Sequence, residues 1–283
     1  MLRSLSDDAL SQLLREDAPH GDMTTQALGL RSGQGHIAFA AHQPMTVCGT
    51  EEACRLFELA GATAHIHTPS GRHVLGNAEL LSAQGPIESL MLAWRVAQSL
   101  VEGASGMASE VARIVTELRA AGHQQPLACT RKGFPGTRDL AVKAVQAGGW
   151  IMHRLGLSDG LLLLPEHRIF FFFFVDDMVG RLRKAQPEKK LVSLVSNLEE
   201  AMAFALAGSE ILQLDHFTPE GVRQAKLALH NSRLHPMLAV SGGVNAANAV
   251  AFADAGADVL VSSAPYQAPP RAIEARFSRV LTQ

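Results

Sequence analysis

The sequence predicts an α/β protein whose larger part is a parallel sheet arranged as a barrel. From about residue 125 onward, short apolar segments alternate with segments of helical periodicity. The apolar segments are almost continuously hydrophobic, which is typical of parallel strands covered on both faces. One junction also recurs, in which a glycine ends a helix and a buried strand follows. It is found at Ala147-Gly148-Gly149, Ala207-Gly208-Ser209 and Ala255-Gly256-Ala257.

Composition bounds the class of protein. The 283 residues are 47% hydrophobic and 18% charged, enough for a real core in one large domain or two. A formal net charge of -2 argues against nucleic acid as the main partner. The three cysteines show no CxxC spacing, which favours a reducing cytoplasm over a disulfide framework or a zinc site. No apolar run is long enough for a signal peptide or a membrane span, so we expect no membrane partner.

The first third of the chain predicts helices mixed with short strands. Residues 4–16 have the spacing of an amphipathic helix, and short strands between residues 35 and 85 flank a helix at 50–60. Two further helices are expected at 86–100 and 109–121, separated near Gly103 and Gly106.

His65 and His67 alternate along one of the short strands and therefore share a face. Two histidines in this spacing suit a metal ion, but no third ligand is evident nearby, so a half-exposed strand is the favoured interpretation.

Six or seven barrel strands can be counted, rather than the eight of a closed barrel. The segments are PLACT, WIMH, LLLL, LVSLV, ILQL, MLAV and DVLV, between residues 126 and 261. A separate aromatic run at 169–175 is too short to cross a bilayer. It is interpreted as a buried strand or an inter-subunit surface.

Polar residues follow these strands at six successive positions, and barrel active sites gather at the carboxyl ends of strands. The positions are Arg131 and Lys132, His153 and Arg154, Glu166 and His167, Asp215 and His216, Ser241 to Gly243, and Ser262 and Ser263. The segment 128–167 concentrates cations, which predicts a site for an anionic small molecule. They are Arg131, Lys132, Arg138, Lys143, His153 and Arg154. The alternative is a solvated loop whose charges have no role.

A phosphate site is predicted at the last two loops. Ser241, Gly242 and Gly243 precede a helix expected to begin near Asn245, where free backbone N–H groups suit a phosphate. Ser262 and Ser263 are assigned to the same phosphate site, because the final loops of a barrel commonly bind one.

The chain is identified as a member of the quinolinate (nicotinate-nucleotide) phosphoribosyltransferase family by its motifs. TRK, PGTR and HRLGLSD, with the upstream EDAPHGDMTTQAL and the downstream LDHF and SGGVN, resemble that family from about residue 10 to 265. The FPGT sequence and the ending SSAPYQAPP resemble its ModD branch, whose genes accompany molybdate transporters.

The resemblance implies an N-terminal α/β sandwich domain, residues 1–108, and an incomplete α/β barrel, residues 109–267, with the tail 268–283 expected to pack on the first. It also implies a homodimer, or a larger assembly, with shared active sites. The activity implied is transfer of ribose 5-phosphate from 5-phosphoribosyl 1-pyrophosphate (PRPP) to an aromatic acid, with Mg2+.

The resemblance also assigns roles to individual residues. Arg131, His153 and Arg154 match residues that grip the acid, and Lys132 matches one near the diphosphate. Asp215 matches a carboxylate for the ribose and Mg2+. Arg95 matches a residue lent by the partner subunit, and Ser241 and Gly242 match the 5-phosphate loop.

The sequence departs from the family pattern at positions that the resemblance assigns to substrate binding. Leu164 replaces a lysine and Leu194 replaces a glutamate, while Ser263 and Gln267 replace a glycine and a histidine. These losses predict an acceptor other than quinolinate, with compensation by Glu166 or His167.

Two alternatives stay open. One is a catalytically silent oxyanion-binding accessory protein linked to molybdate transport. The other is a lyase in which Lys132 forms a Schiff base.

Overall fold

The computed structural model describes residues 2–30, 33–171 and 174–280. The chain divides into two compact units, one formed by residues 1–112, 134–149 and 265–283 and the other by 113–133 and 150–264. The segment 134–149, expected in the barrel domain, groups with the first unit. The domain limits expected from the sequence otherwise stay a prediction. No helix in the described ranges is long and apolar enough to cross a membrane.

The helices of the described residues are as follows, in chain order: α1 (Asp7–Asp17), α2 (Met23–Ala27), α3 (Thr50–Leu59), α4 (Ile87–Ala120), α5 (Arg138–Ala147), α6 (Pro165–Ile169), α7 (Val175–Ala185), α8 (Leu198–Leu206), α9 (Pro219–Asn231) and α10 (Ala249–Asp254), with a 3-10 turn at Ala264–Gln267.

The strands of the described residues are β1 (Gln34–Ala41), β2 (Met45–Thr46), β3 (Thr63–Ile66), β4 (His73–Val74), β5 (Glu79–Pro86), β6 (Leu127–Cys129), β7 (Ile151–Met152), β8 (Leu161–Leu163), β9 (Leu191–Val195), β10 (Ile211–Asp215), β11 (Met237–Ser241), β12 (Val259–Ser262) and β13 (Ile273–Arg279).

The first unit is built on an antiparallel sheet with strand order β13-β1-β5-β3. Strand β1 lies between β13 and β5 in this sheet. Its residues Ile37 and Phe39, two apart and therefore on one face, are both fully buried. The ring of Phe39 meets that of Phe57 on α3 edge-on, with centroids 5.8 Å apart. Strand β13 pairs with β1 over seven residues, so the end of the chain completes the sheet of this unit.

Helix α4 continues without interruption for 34 residues. The expectation of two helices separated near Gly103 and Gly106 is therefore wrong. A glycine costs about 1 kcal/mol in a helix interior, but the buried face of this helix, including Ala97 and Val101, outweighs that cost. Gly106 also has a packing role, since a Cβ there would lie 2.5 Å from the carbonyl oxygen of Pro269.

Lys143 on α5 lies in the core of the first unit. Its Nζ donates to Glu51 Oε2 at 2.9 Å and to Glu52 Oε2 at 2.6 Å, both in the first turn of α3. Burial alone would raise the pKa of Glu51, but hydrogen bonds from Ser70 and Lys143 outweigh it and lower the pKa to about 2. The grouping of Lys143 with the anion-binding cations is therefore wrong, because two carboxylates already neutralise it.

The second unit is a curled parallel half-barrel of seven strands, in the order β7-β6-β12-β11-β10-β9-β8. These are the seven segments expected from the sequence. The repeated junction is confirmed, because Gly149, Gly208 and Gly256 have φ values of 96, 96 and 98° at helix ends that precede β7, β10 and β12. Only glycine adopts this left-handed conformation freely, so the chain turns sharply from each helix into its strand.

The aromatic run does not form a buried strand in its described part. Phe170 follows α6 and Phe174 precedes α7, and their exposures are 80% and 81%. Phe172 and Phe173 lie outside the described residues. The buried-strand interpretation is thus wrong for the flanking residues, and the inter-subunit surface remains a prediction.

Candidate active site

The predicted site residues of the second unit lie along one edge of the half-barrel. Parallel strands end at the same edge of a sheet, about 4.8 Å from their neighbours, so the residues that follow them stand in a row. In sheet order the row contains His153 and Arg154, then Arg131 and Lys132, then Ser262 and Ser263, then Ser241 to Gly243, then Asp215, and at the far edge Glu166 and His167.

The β7 and β6 end of this row is positively charged. Burial, and then the charge of Arg131, lower the pKa of Arg154. Burial, and then the charge of Arg154, lower the pKa of His153. Within the described ranges, Arg131, Lys132 and Arg154 form no ion pair with a carboxylate. These unpaired cations provide a site that an anion would stabilise.

The strand ends are fastened to each other by backbone hydrogen bonds. The N–H of Thr130 donates to the carbonyl oxygen of Ser262 at 2.9 Å, and the N–H of His153 donates to that of Cys129 at 2.8 Å. The loops that carry the cations therefore begin from fixed positions.

Three side chains form a hydrogen-bonded chain on strands β10 and β11. Gln213 Nε2 donates to Ser241 Oγ at 3.0 Å, and Ser241 Oγ donates to Asp215 Oδ1 at 2.7 Å. Asp215 lies directly opposite Ser241 in the register of the two strands. This arrangement fixes one oxygen of the Asp215 carboxylate, and the other, Oδ2, lies 3.9 Å from His216 Nε2.

The glycine loop after β11 has unsatisfied donors. Gly242 and Gly243 have φ values of 89 and 85°, and the carbonyl oxygen of Gly243 accepts hydrogen bonds from Asn245 and Asn248 side chains. The backbone N–H groups of Gly242, Gly243 and Val244 donate to no protein atom in the described part of the chain. Such a group of N–H donors is suited to a phosphate.

The helix after this loop begins later than expected. Helix α10 starts at Ala249 rather than near Asn245, and it is only six residues long. The N–H groups of Asn245 and Ala247 are already used by the side chains of Asn248 and Asn245. The asparagines therefore shape the loop, and the phosphate prediction rests on the loop's own N–H groups rather than on a helix end.

The predicted serines hold this loop in place. Ser262 Oγ donates to the carbonyl oxygen of Val244 at 2.6 Å and accepts from the N–H of Ala264 at 3.1 Å. Because its hydrogen is used, Ser262 Oγ has none left for a phosphate. The same holds for Ser241, whose hydrogen is used by Asp215. Ser263 is half-buried beside Ser262.

The far edge of the row is less polar. His167 Nδ1 accepts a hydrogen bond from the N–H of Leu164 at 3.0 Å, and Glu166 is exposed beside it. Arg154, His167 and Arg181 line a cavity of about 560 Å3 whose other walls are mainly apolar. Those walls include Leu157, Leu161, Leu162, Leu163 and Met178.

Arg95 belongs to the first unit and is exposed on α4. Its guanidinium carbon lies 4.0 Å from the ring centroid of Trp94, and its Nη1 donates to Gln98 Oε1 at 3.1 Å. These contacts hold the side chain against its own helix.

Two carboxylates stand in the row, Asp215 at the end of β10 and Glu166 on α6 at the far edge. Among the described residues no group of three His, Cys, Asp or Glu side chains is arranged to hold a metal. Magnesium usually binds through one or two carboxylates together with substrate phosphates and water. Asp215 fits that pattern, and the row provides no all-protein metal cage.

Sequence reasoning missed Gln213 and Asn248 as parts of the site, and it placed His216 at a strand end without assigning it a role. Gln213 stands inside an otherwise apolar strand, and an amide in such a strand was the available signal. His216 has a φ of 58°, rare for a residue with a side chain, and it lies directly against Gly242.

Comparisons with known proteins agree with this fold. The family models for the C-terminal and N-terminal domains of quinolinate phosphoribosyl transferase match residues 107–273 and 22–105. A Rhodobacter capsulatus protein provisionally named pyrophosphorylase ModD is 46% identical over 87% of this chain and 95% of its own. A Synechocystis protein named as a probable nicotinate-nucleotide pyrophosphorylase (carboxylating) is 31% identical over 93% of this chain and 89% of its own. The structure of nicotinate-nucleotide pyrophosphorylase from Francisella tularensis superposes with a TM-score of 0.86 at 24% identity, covering 97% and 98% of the two chains.

Proposed function

Because this chain belongs to the quinolinate phosphoribosyl transferase family, we propose that it transfers ribose 5-phosphate from PRPP to a ring nitrogen of an aromatic or heterocyclic acid. Pyrophosphate is the second product. The relatives of this chain support a pentosyltransferase. What we propose beyond this is the identity of the ribose donor and the class of the acceptor. The observation that carries the proposal is that the cations after β6 and β7 stand in one row with the glycine loop after β11 and with Asp215 on β10.

Each part of the row suits one part of the reaction. Arg131, His153 and Arg154 would bind the carboxylate of the acid, and Lys132 would stabilise charge on the departing diphosphate. The Asp215 carboxylate would stabilise positive charge on the ribose as the bond to diphosphate breaks. The N–H groups of the glycine loop would hold the 5-phosphate.

We propose that Mg2+ enters with the diphosphate and is held by Asp215. Bound there, the ion would neutralise charge on the leaving group. Oδ2 of Asp215 is the carboxylate oxygen that would hold the ion, because Oδ1 already accepts a hydrogen bond from Ser241, whereas the exposed His216 Nε2 lies 3.9 Å from Oδ2.

The acceptor should carry less negative charge than quinolinate, which has two carboxylates. Leu164 and Leu194 stand where the family resemblance predicts a lysine and a glutamate, so one cation that would face the substrate is absent. The cavity bounded by Arg154 and His167 is also mainly apolar. The guanidinium groups in its lining are Arg154 and Arg181, and its apolar walls suit the ring of a heteroaromatic acid. The preference for a monocarboxylic acid therefore rests on the lysine that Leu164 replaces.

Pyrophosphate release from PRPP and Mg2+ should be measured with a panel of heteroaromatic acids bearing one or two carboxylates. We expect turnover with a monocarboxylic acid, and a rate about 100-fold lower in Lys132→Ala. The matched control is Lys184→Ala, which removes an exposed lysine on α7. Absence of PRPP binding would reject the class of reaction, whereas preference for quinolinate would reject only the argument about acceptor charge.

A second function is a catalytically silent oxyanion-binding protein. The unpaired cations Arg131, Lys132 and Arg154 favour it, because they would also bind molybdate. Calorimetry should then show tight molybdate binding, competition by PRPP and no pyrophosphate release with any acid of the panel. Turnover in that panel would exclude this function.

We propose a homodimer in which Arg95 completes the site of the partner subunit, as the family resemblance implies. The exposed Phe170 and Phe174 are candidates for a surface between subunits.

A cytoplasmic location is proposed as well. It is supported by free and buried thiols at Cys48, Cys54 and Cys129.

A further inference from the structure

Gln213 carries a buried acceptor without a partner. The residue lies within β10, its exposure is 6%, and its Oε1 forms no hydrogen bond in the described part of the chain. Buried side-chain acceptors in native proteins almost always have a donor, from protein, water or ligand. The unpaired oxygen therefore identifies a place where a donor belongs.

The orientation of the Gln213 amide is fixed by its neighbours. Ser241 Oγ has a single hydrogen, and this hydrogen is donated to the carboxylate of Asp215. Ser241 can therefore only accept from Gln213, which requires the amide nitrogen to face it. The carbonyl oxygen Oε1 must then point away from Ser241. Exchanging the two amide atoms would break the hydrogen bond between Gln213 and Ser241.

Gln213 faces the same side of the sheet as Asp215, because residues two apart on a strand share a face. In the strand register it lies opposite Leu194 on β9 and Ala239 on β11. Leu194 occupies the position where the family resemblance predicts a glutamate that helps hold the ribose. The missing acceptor on β9 thus has a neighbouring acceptor on β10, directly opposite it in the strand register.

We propose that Gln213 Oε1 accepts a hydrogen bond from a ring hydroxyl of the bound ribose phosphate, taking over from the glutamate that Leu194 replaces. Gln213 is then a residue that contacts the sugar and selects ribose over deoxy sugars. It is neutral, so it adds no charge beside Asp215. This inference rests on the proposed phosphoribosyl transfer.

Binding of three sugar phosphates to the full-length protein tests it. Calorimetry should compare ribose 5-phosphate with its 2-deoxy and 3-deoxy forms, for the wild type and Gln213→Met. Methionine keeps the length of the side chain but cannot accept well. We expect the substitution to weaken ribose 5-phosphate binding about tenfold. The weakening should disappear with one of the two deoxy sugars, because that sugar lacks the bonded hydroxyl.

An equal loss with all three sugars, or no loss, would overturn the role of Gln213. Failure of the wild type to bind any of the sugars would instead overturn the proposed function. Gln224→Met, an exposed substitution on α9, is the matched control and should bind all three as the wild type does.

A wild-type crystal structure with ribose 5-phosphate covers the case in which Gln213→Met does not fold. A hydroxyl within hydrogen-bonding distance of Gln213 Oε1 supports the proposal. A water molecule that stays on this oxygen with the sugar bound overturns it.

Discussion

Gly242 and His216 follow adjacent strand ends and leave no room for a side chain between them. A Cβ on Gly242 would lie 2.7 Å from the backbone nitrogen of His216 and 2.8 Å from its ring. Gly243 has a similar φ, but a Cβ there would meet nothing within 4 Å. The two glycines therefore separate the cost of backbone conformation from the cost of a collision.

We predict that Gly242→Ala is more harmful than Gly243→Ala. Alanine in a left-handed conformation costs about 1–2 kcal/mol at either position, and the collision at Gly242 adds about 1–3 kcal/mol. Thermal unfolding of both variants measures the difference in stability. Binding of inorganic phosphate measures whether the glycine loop still holds an anion. Equal destabilisation would show that the loop moves away from His216 without penalty.

At the scale of single residues, the sequence predicted positions better than contacts. Arg131, Lys132, His153, Arg154 and Asp215 lie at strand ends as expected, because an apolar strand followed by a charged residue is visible in the sequence. The partner of a hydroxyl is not visible in this way. The hydrogen bonds that Ser241 and Ser262 donate depend on strand register, which a single sequence does not determine.

Helices α3 and α5 of the first unit are joined by the buried cluster of Lys143, Glu51 and Glu52. The cluster places two carboxylates around one lysine, and the N–H of Ser4 and the side chain of Ser70 also donate hydrogen bonds to these carboxylates. Removing the cation from such a cluster leaves two buried carboxylates without compensation.

We therefore predict that Lys143→Met destabilises the protein by about 3–5 kcal/mol. Denaturant unfolding at pH 7 measures the change, with the exposed Lys184→Met as control. Because the pKa of Glu51 is lowered from 4.5 to about 2, its contribution to stability is fully present at neutral pH and is lost progressively as the pH falls from 4.5 through about 2. A variant as stable as the wild type would show that the cluster is dispensable.

At the scale of elements, periodicity predicted the seven strands and most helices. It failed where tertiary packing overrides local preference, as in α4, whose glycines suggested a break that the buried face of the helix prevents. It failed again for Lys143, because a lysine in a cation-rich segment carries no sign that two glutamates about ninety residues earlier will surround it. The strand order likewise came from the structure, although the repeated glycine junctions already indicated parallel strands.

The whole molecule adds the question of how many subunits form one site. The cations of the half-barrel and Arg95 belong to different units of the chain, and the family resemblance assigns Arg95 to the site of the partner. If so, damage to Arg95 and damage to the half-barrel affect different sites when two variant subunits are paired.

We predict recovery of activity when Arg95→Ala and Arg131→Ala subunits are co-expressed. Each variant alone should release pyrophosphate slowly, because every one of its sites lacks an arginine. In a mixed dimer one site contains both arginines, so about a quarter of the wild-type rate should return if subunits pair at random. The control pairs Arg131→Ala with His153→Ala, since both changes lie in the same half-barrel and every site then stays damaged. Recovery in the first mixture alone establishes the shared site. No recovery, in a preparation whose size by light scattering is that of a dimer, would place Arg95 outside it.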